Sequence, residues 1–128
     1  MGDTLTDLES TEQVVQLSQE IHRSLVRGGR FVATFRDYSN PASGAARFIP
    51  VRSDSDRILT CFLEQFSNHM IVHDLLHERD GAAWKLKVSS YKKLRLSPVL
   101  VERIFTEAGM AARVETGPRG MVHLTADA

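Results

Sequence analysis

Apolar residues recur at Val14, Leu17, Ile21 and Leu25, a spacing of three and four that gathers them on one side of a helix. Ser10 precedes the stripe in a capping position, Gln13 stands at the capping-box spacing, and Gly28 suits a left-handed helix stop. The period then changes. Phe31 to Phe35 form a short, mostly apolar run, the pattern of a strand buried on both faces in a parallel sheet. Helix, tight turn and buried strand together predict half of a βαβ unit.

Sheet character breaks near residue 40, where Asn40-Pro41-Ala42-Ser43-Gly44 reads as a loop. The segments after it resemble antiparallel strands, at residues 48–51, 58–66, 70–77 and 84–94, with Asp80-Gly81 supplying turn chemistry for the last hairpin. Ser97-Pro98 then gives an N-cap followed by proline at the first helical position. Leu100, Val101, Ile104, Phe105 and Ala108 make the apolar face of that helix, and Gly109 ends it. Residues 111–116 and 121–125 flank Gly117-Pro118-Arg119-Gly120, which predicts a terminal β-hairpin. The fold class is α/β, or α+β for these elements taken alone.

A length of 128 residues suits one domain, 1–128, with the antiparallel sheet occupying 46–95 inside it. Sixteen acidic and sixteen basic residues cancel, so no global field draws the chain to nucleic acid or to an anionic membrane, and neither is an expected partner. The lone Cys61 rules out an internal disulfide. With no secretory signal and no membrane-length apolar run in the sequence, the expected compartment is the reducing cytoplasm. Cys61, in an apolar strand with no adjacent cation, reads as a buried small hydrophobe.

His69, His73 and His77 share one face of an extended strand, but neighbours lie roughly 13 Å apart, too far to hold one metal ion. They read as packing histidines, and no metal is expected. Lys85, Lys87, Lys92, Lys93 and Arg95 form a basic stripe that reads as a solvated strand face. In an open α/β sheet, ligands bind outside the carboxyl ends of the strands, so Arg36, Asp37 and Tyr38 fall where chemistry is expected. No Gly-rich phosphate or nucleoside loop precedes that strand.

Met1-Gly2-Asp3-Thr4-Leu5-Thr6-Asp7-Leu8 resembles the segment that leaves the fourth strand of class I S-adenosylmethionine-dependent methyltransferases. Residues 29–38 resemble the fifth strand, and the last helix with its hairpin resembles the end of that Rossmann-like sheet. The match is nearest to the glycine N-methyltransferase type of small-molecule enzyme, where similar words surround a three-stranded antiparallel insertion. It covers the whole chain yet corresponds to the carboxyl-terminal half of the catalytic domain, without the Gly-rich loop or the acid that holds the cofactor ribose.

The resemblance implies that Arg36 clamps a substrate carboxylate, a task suited to a guanidinium fork. It sets Asp3 where the family has an asparagine beside the same pocket and Tyr91 where a tyrosine reaches the substrate from the inserted sheet; Tyr38 joins them as a substrate-binding candidate by its place at the strand end. Met1, Gly2 and Leu5 are placed on the cofactor side, and Asp7 stands where the family often has a histidine. An ionised Asp3 favours an amine or a hydroxyl over a carboxylate. The implied reaction is in-line methyl transfer from S-adenosyl-L-methionine to a small polar methyl acceptor, with Asp3, Asp37 or Tyr91 as candidates to accept the proton of the attacking group.

Two function classes follow. In the first, the chain is the substrate-side portion of a methyltransferase whose cofactor site is completed by an amino-terminal half or by a second copy, and the edge of the strand after Gly29 invites a homodimer. In the second, the chain is a non-catalytic module that binds a small ligand or a partner protein through its antiparallel sheet, a reading supported by the missing cofactor motif.

Overall fold

The computed structural model describes residues 5–39 and 43–128, with Arg119 described by its backbone alone. Contacts divide the chain into two units, Met1–Asn40 with Leu94–Ala128, and Pro41–Lys93.

In the first unit, helix α1 (Thr11–Ser24) starts where its cap dictates: the Ser10 hydroxyl accepts the Gln13 N–H at 3.3 Å. The Gln13 side chain reaches back to the Glu9 N–H at 2.9 Å, one residue earlier than the reciprocal bond of a capping box. The helix ends at Ser24, short of Gly28. Leu25 is already extended, and Gly28 (φ +80°) instead serves a turn closed by the Gly29 N–H on the Val26 carbonyl at 2.8 Å. A Cβ on Gly29 would lie 2.8 Å from that same carbonyl oxygen, which accounts for the second glycine.

The turn feeds strand β1 (Arg30–Arg36), which pairs antiparallel with the final strand rather than joining a parallel sheet. The unit's sheet has the order β1-β7-β6, where β6 is Ala111–Thr116 and β7 is Met121–Asp127. Strand β1 is not buried on both faces as its apolar run predicted: Phe35 is fully buried on one face and Val32, on the other, is 61% exposed. Central β7 alternates strictly, with Val122, Leu124 and Ala126 inside. The terminal hairpin forms as expected, with Pro118–Gly120 as a single 3-10 turn between β6 and β7.

Helix α2 (Pro98–Glu107) carries its own cap, the Ser97 hydroxyl accepting the Leu100 N–H at 3.1 Å. Its Val101, Ile104 and Phe105 join Leu5, Val14, Phe35, Leu94 and Leu96 in one core. The Phe105 ring stacks on Phe31 at 5.7 Å between centroids, within 5° of parallel. Full burial of a side chain of that size stabilises the fold by about 1.5–3 kcal/mol.

The second unit is a four-stranded antiparallel sheet, β2 (Phe48–Ser53), β3 (Arg57–Gln65), β4 (His69–Asp80) and β5 (Ala83–Leu94), in sequence order. It has one strand more than the resemblance implied. Edge strand β2 is irregular between Pro50 and Arg52, as suits a residue with no N–H for the ladder. The β2–β3 turn is tied by Asp54, whose carboxylate accepts the N–H groups of Asp56 and Arg57, both at 2.8 Å. Gly81 (φ +64°) makes the predicted hairpin turn between β4 and β5.

Two readings of this sheet need correction. Cys61 is only partly buried, and its thiol donates to Asp74, directly opposite across the β3–β4 ladder, at 3.0 Å. The basic stripe is solvated at Lys85 and Lys87, which make surface pairs with Asp80 at 2.9 Å and Glu78 at 3.1 Å, but Lys93 on the same strand is buried.

Candidate substrate site at the tip of strand β1

Strand β1 delivers Arg36 opposite Met121, with its side chain exposed. Pairing continues one residue further, the Asp37 N–H donating to the Gly120 carbonyl at 2.9 Å. The chain then turns on its own side chain, because the Asp37 carboxylate accepts both the N–H of Ser39, at 2.8 Å, and the Ser39 hydroxyl. One carboxylate oxygen of Asp37 is therefore committed to the turn. Asp37 is a builder of the tip before it is a proton acceptor.

Arg95 completes the arrangement. Its Nε donates to the Tyr38 carbonyl at 2.9 Å and its Nη2 to the Ser39 carbonyl at 3.0 Å, so one planar fork fixes two successive peptide groups. The sequence reading placed Arg95 in the basic stripe, yet β5 ends at Leu94 and Arg95 belongs to the return toward α2. Its neighbours Leu94 and Leu96, 3% and 0% exposed, face the core, and Arg95 between them is only partly buried.

Arg36 and Tyr38, the latter half-buried, lie in the first unit. Tyr91 lies on β5 in the second, 42% exposed, with the Lys93 ammonium 5.7 Å from its ring centroid. Met1, Gly2 and Asp3 lie outside the described residues. Leu5 opens a 3-10 turn, Leu5–Asp7, and its side chain is 2% exposed in the core, while Asp7 is exposed.

At the other end of β1, three strands converge on one acid. Arg30 holds Asp127 at 2.7 Å and Arg113 approaches it at 3.3 Å. The hydrogen bond from Arg30, then that from Arg113, holds the Asp127 carboxyl below the usual carboxylate range, and the same contact raises Arg30. Among the described residues no group of three or more His, Cys, Asp or Glu side chains is placed to hold a metal ion, and no helix is long and apolar enough to cross a membrane.

No protein-family model and no curated protein matches the chain. Solved structures do. A S-adenosylmethionine-dependent methyltransferase from Clostridium acetobutylicum ATCC 824 superposes with a TM-score of 0.74 at 9% identity, covering 98% of this chain and 55% of its own. CalS10, an amino pentose methyltransferase from Micromonospora echinaspora solved with S-adenosylmethionine bound, gives 0.76 at 12% identity over 99% and 55%. The sugar N-methyltransferase KedS8 from Streptoalloteichus sp ATCC 53650 gives 0.68 at 12% over 97% and 53%. The chain thus spans about half the length of the structures it matches. Its fold, mixed α/β with antiparallel sheets, matches the carboxyl-terminal half of a methyltransferase.

Proposed function

We propose that the chain is the substrate-side portion of a class I S-adenosylmethionine-dependent methyltransferase that methylates a small polar amine. The observation that carries this reading is the superposition of 97–99% of the chain on methyltransferases, two of them acting on sugars, at TM-scores of 0.68 to 0.76. An amine acceptor is common to the glycine N-methyltransferase type that the sequence resembles and to a sugar N-methyltransferase, and an amino sugar is the substrate class we favour.

In this reading Arg36, Tyr38, Tyr91 and Asp3 bind the acceptor. Arg36 offers a charged fork for a carboxylate or hydroxyls, on a tip held by Asp37 and Arg95. Asp3 takes the ammonium or hydroxyl of the acceptor. Rigid peptide groups behind Arg36 matter because misplacement of about 1 Å at a reacting centre costs on the order of 100-fold in rate.

The described residues do not by themselves fit the cofactor: strand β1 runs into an aspartate-centred turn and not into a Gly-rich turn that opens a helix. Met1, Gly2 and Leu5 are the cofactor-side contribution proposed for this chain, Leu5 through its backbone. The remainder of the site is supplied by an amino-terminal segment or by a second copy, which makes a homodimer the expected state of the isolated chain, in a cytoplasmic setting.

Calorimetric titration with S-adenosylhomocysteine tests this. Micromolar binding by the chain, alone or as a dimer, supports the proposal. A folded chain that releases no heat of binding at any concentration removes self-contained cofactor use and favours the binding-module reading.

A further inference from the structure

The face of the four-stranded sheet bearing His73 holds a cluster of hydrogen-bonded polar side chains apart from the residues of the proposed function. Three adjacent strands contribute Glu64 (β3), His73 (β4) and Ser90 (β5). His73 Nε2 lies 3.1 Å from the Glu64 carboxylate, and His73 Nδ1 lies 2.7 Å from the Ser90 hydroxyl oxygen. We propose that Ser90 is an activated nucleophile that is acylated by small activated esters, with His73 as its general base and Glu64 as the residue that positions the imidazole.

The proton positions follow from the partners. In the proposed reactive state the imidazole is neutral and its one proton is on Nε2, facing the Glu64 carboxylate, which can only accept; Nδ1 then offers its lone pair to the Ser90 O–H. This is the tautomer a general base needs, with the base oriented by a third group. The ring is fixed on its flat side as well. Phe62 stacks on His73 at 5.7 Å between centroids, and Phe62 is backed in turn by Phe48 at 4.7 Å and by the Arg47 guanidinium at 5.2 Å.

The β3–β4 ladder sets Phe62 directly opposite His73 and Glu64 on the adjacent diagonal, so the register itself brings the acid and the base together. Ser90 is exposed on β5, so its hydroxyl is open to a small molecule.

In the proposed step the Ser90 Oγ attacks the ester carbonyl carbon while its proton passes to His73 Nδ1. The tetrahedral adduct then expels the alcohol-side oxygen, which takes that proton from Nδ1. One C–O bond to Ser90 forms, one C–O bond to the leaving group breaks, and Glu64 remains ionised throughout. No oxidant, reductant or cofactor is required.

The test uses the intact chain and p-nitrophenyl acetate, following p-nitrophenol release and mapping the acetyl group by peptide mass spectrometry. The expected result is a stoichiometric burst with acetyl on Ser90. Replacement of the general base in His73→Ala slows the burst by about 100-fold. Glu64→Gln, which keeps an acceptor for the ring N–H and removes the charge, gives an intermediate rate, an effect that a merely structural contact would not produce. Circular dichroism establishes that the variants are folded, and the wild-type map stands without them. Acetyl groups confined to lysines, or an unchanged rate in a folded His73→Ala chain, overturn the proposal. Neither outcome depends on S-adenosylhomocysteine binding.

Discussion

Asp127 shows how much a single side chain near the chain end can organise, since Arg30 from β1 and Arg113 from β6 both reach it on β7. Its carboxyl is held below the ordinary range by those two hydrogen bonds. A depressed folded-state pKa means that its contribution is complete above the unfolded value of about 4 and is lost as pH falls through the lower folded value. Asp127→Asn therefore lowers the melting temperature at pH 7, and the gap to wild type closes on acidification through that window and shrinks in high salt. A gap that is constant from pH 7 to pH 2 would show that the charge is irrelevant. At this scale the local words were legible: Ser10, Ser97 and Gly81 take the roles their residue types predict. Arg95 and the Cys61–Asp74 contact were not, because each depends on a partner 56 or 57 residues away in one case and 13 in the other.

Helix ends and turns were readable where one residue type controls them and misread where packing intervenes. Gly109 (φ +109°) ends α2 as its position suggests, but a Cβ there would also lie 2.9 Å from His22 Nε2 on α1, a close approach that only the packed helices create. Gly81 (φ +64°) has open space around it. Gly81→Ala should accordingly cost about 1–2 kcal/mol for the left-handed backbone alone. Gly109→Ala should cost clearly more, since His22 must also move. Urea denaturation of the two variants compares them directly, and equal losses would mean that the His22 ring yields freely. The apolar run of β1 misled for a related reason: Phe31 to Phe35 specify a strand, but only its pairing with β7 decides that it runs antiparallel and sits at an edge.

At the scale of the molecule, that edge is where association is expected. Among the described residues β1 is hydrogen-bonded to β7 and has no neighbouring strand on its other side. An edge strand with an apolar run is a template for another chain. We expect the isolated chain to associate as its concentration rises, and Val32→Lys, at a position 61% exposed, to reduce that association without unfolding the unit. Static light scattering that finds a monomer at every concentration would exclude the homodimer part of the proposed function.

By itself the sequence determined, among the described residues, the order of the two α-helices and seven strands, the N-caps at Ser10 and Ser97, the Gly81 turn and the terminal hairpin, because each is written in local periodicity and in residues with restricted backbones. It also placed Arg36 at a strand end. The tertiary structure decided what local pattern does not encode: which strands pair, which strands lie at edges, that Arg95 braces the tip behind Arg36, and that Glu64, His73 and Ser90 meet across three strands. Those outcomes depend on register and on contacts between residues far apart in the chain, and a single sequence carries no short-range signal of either.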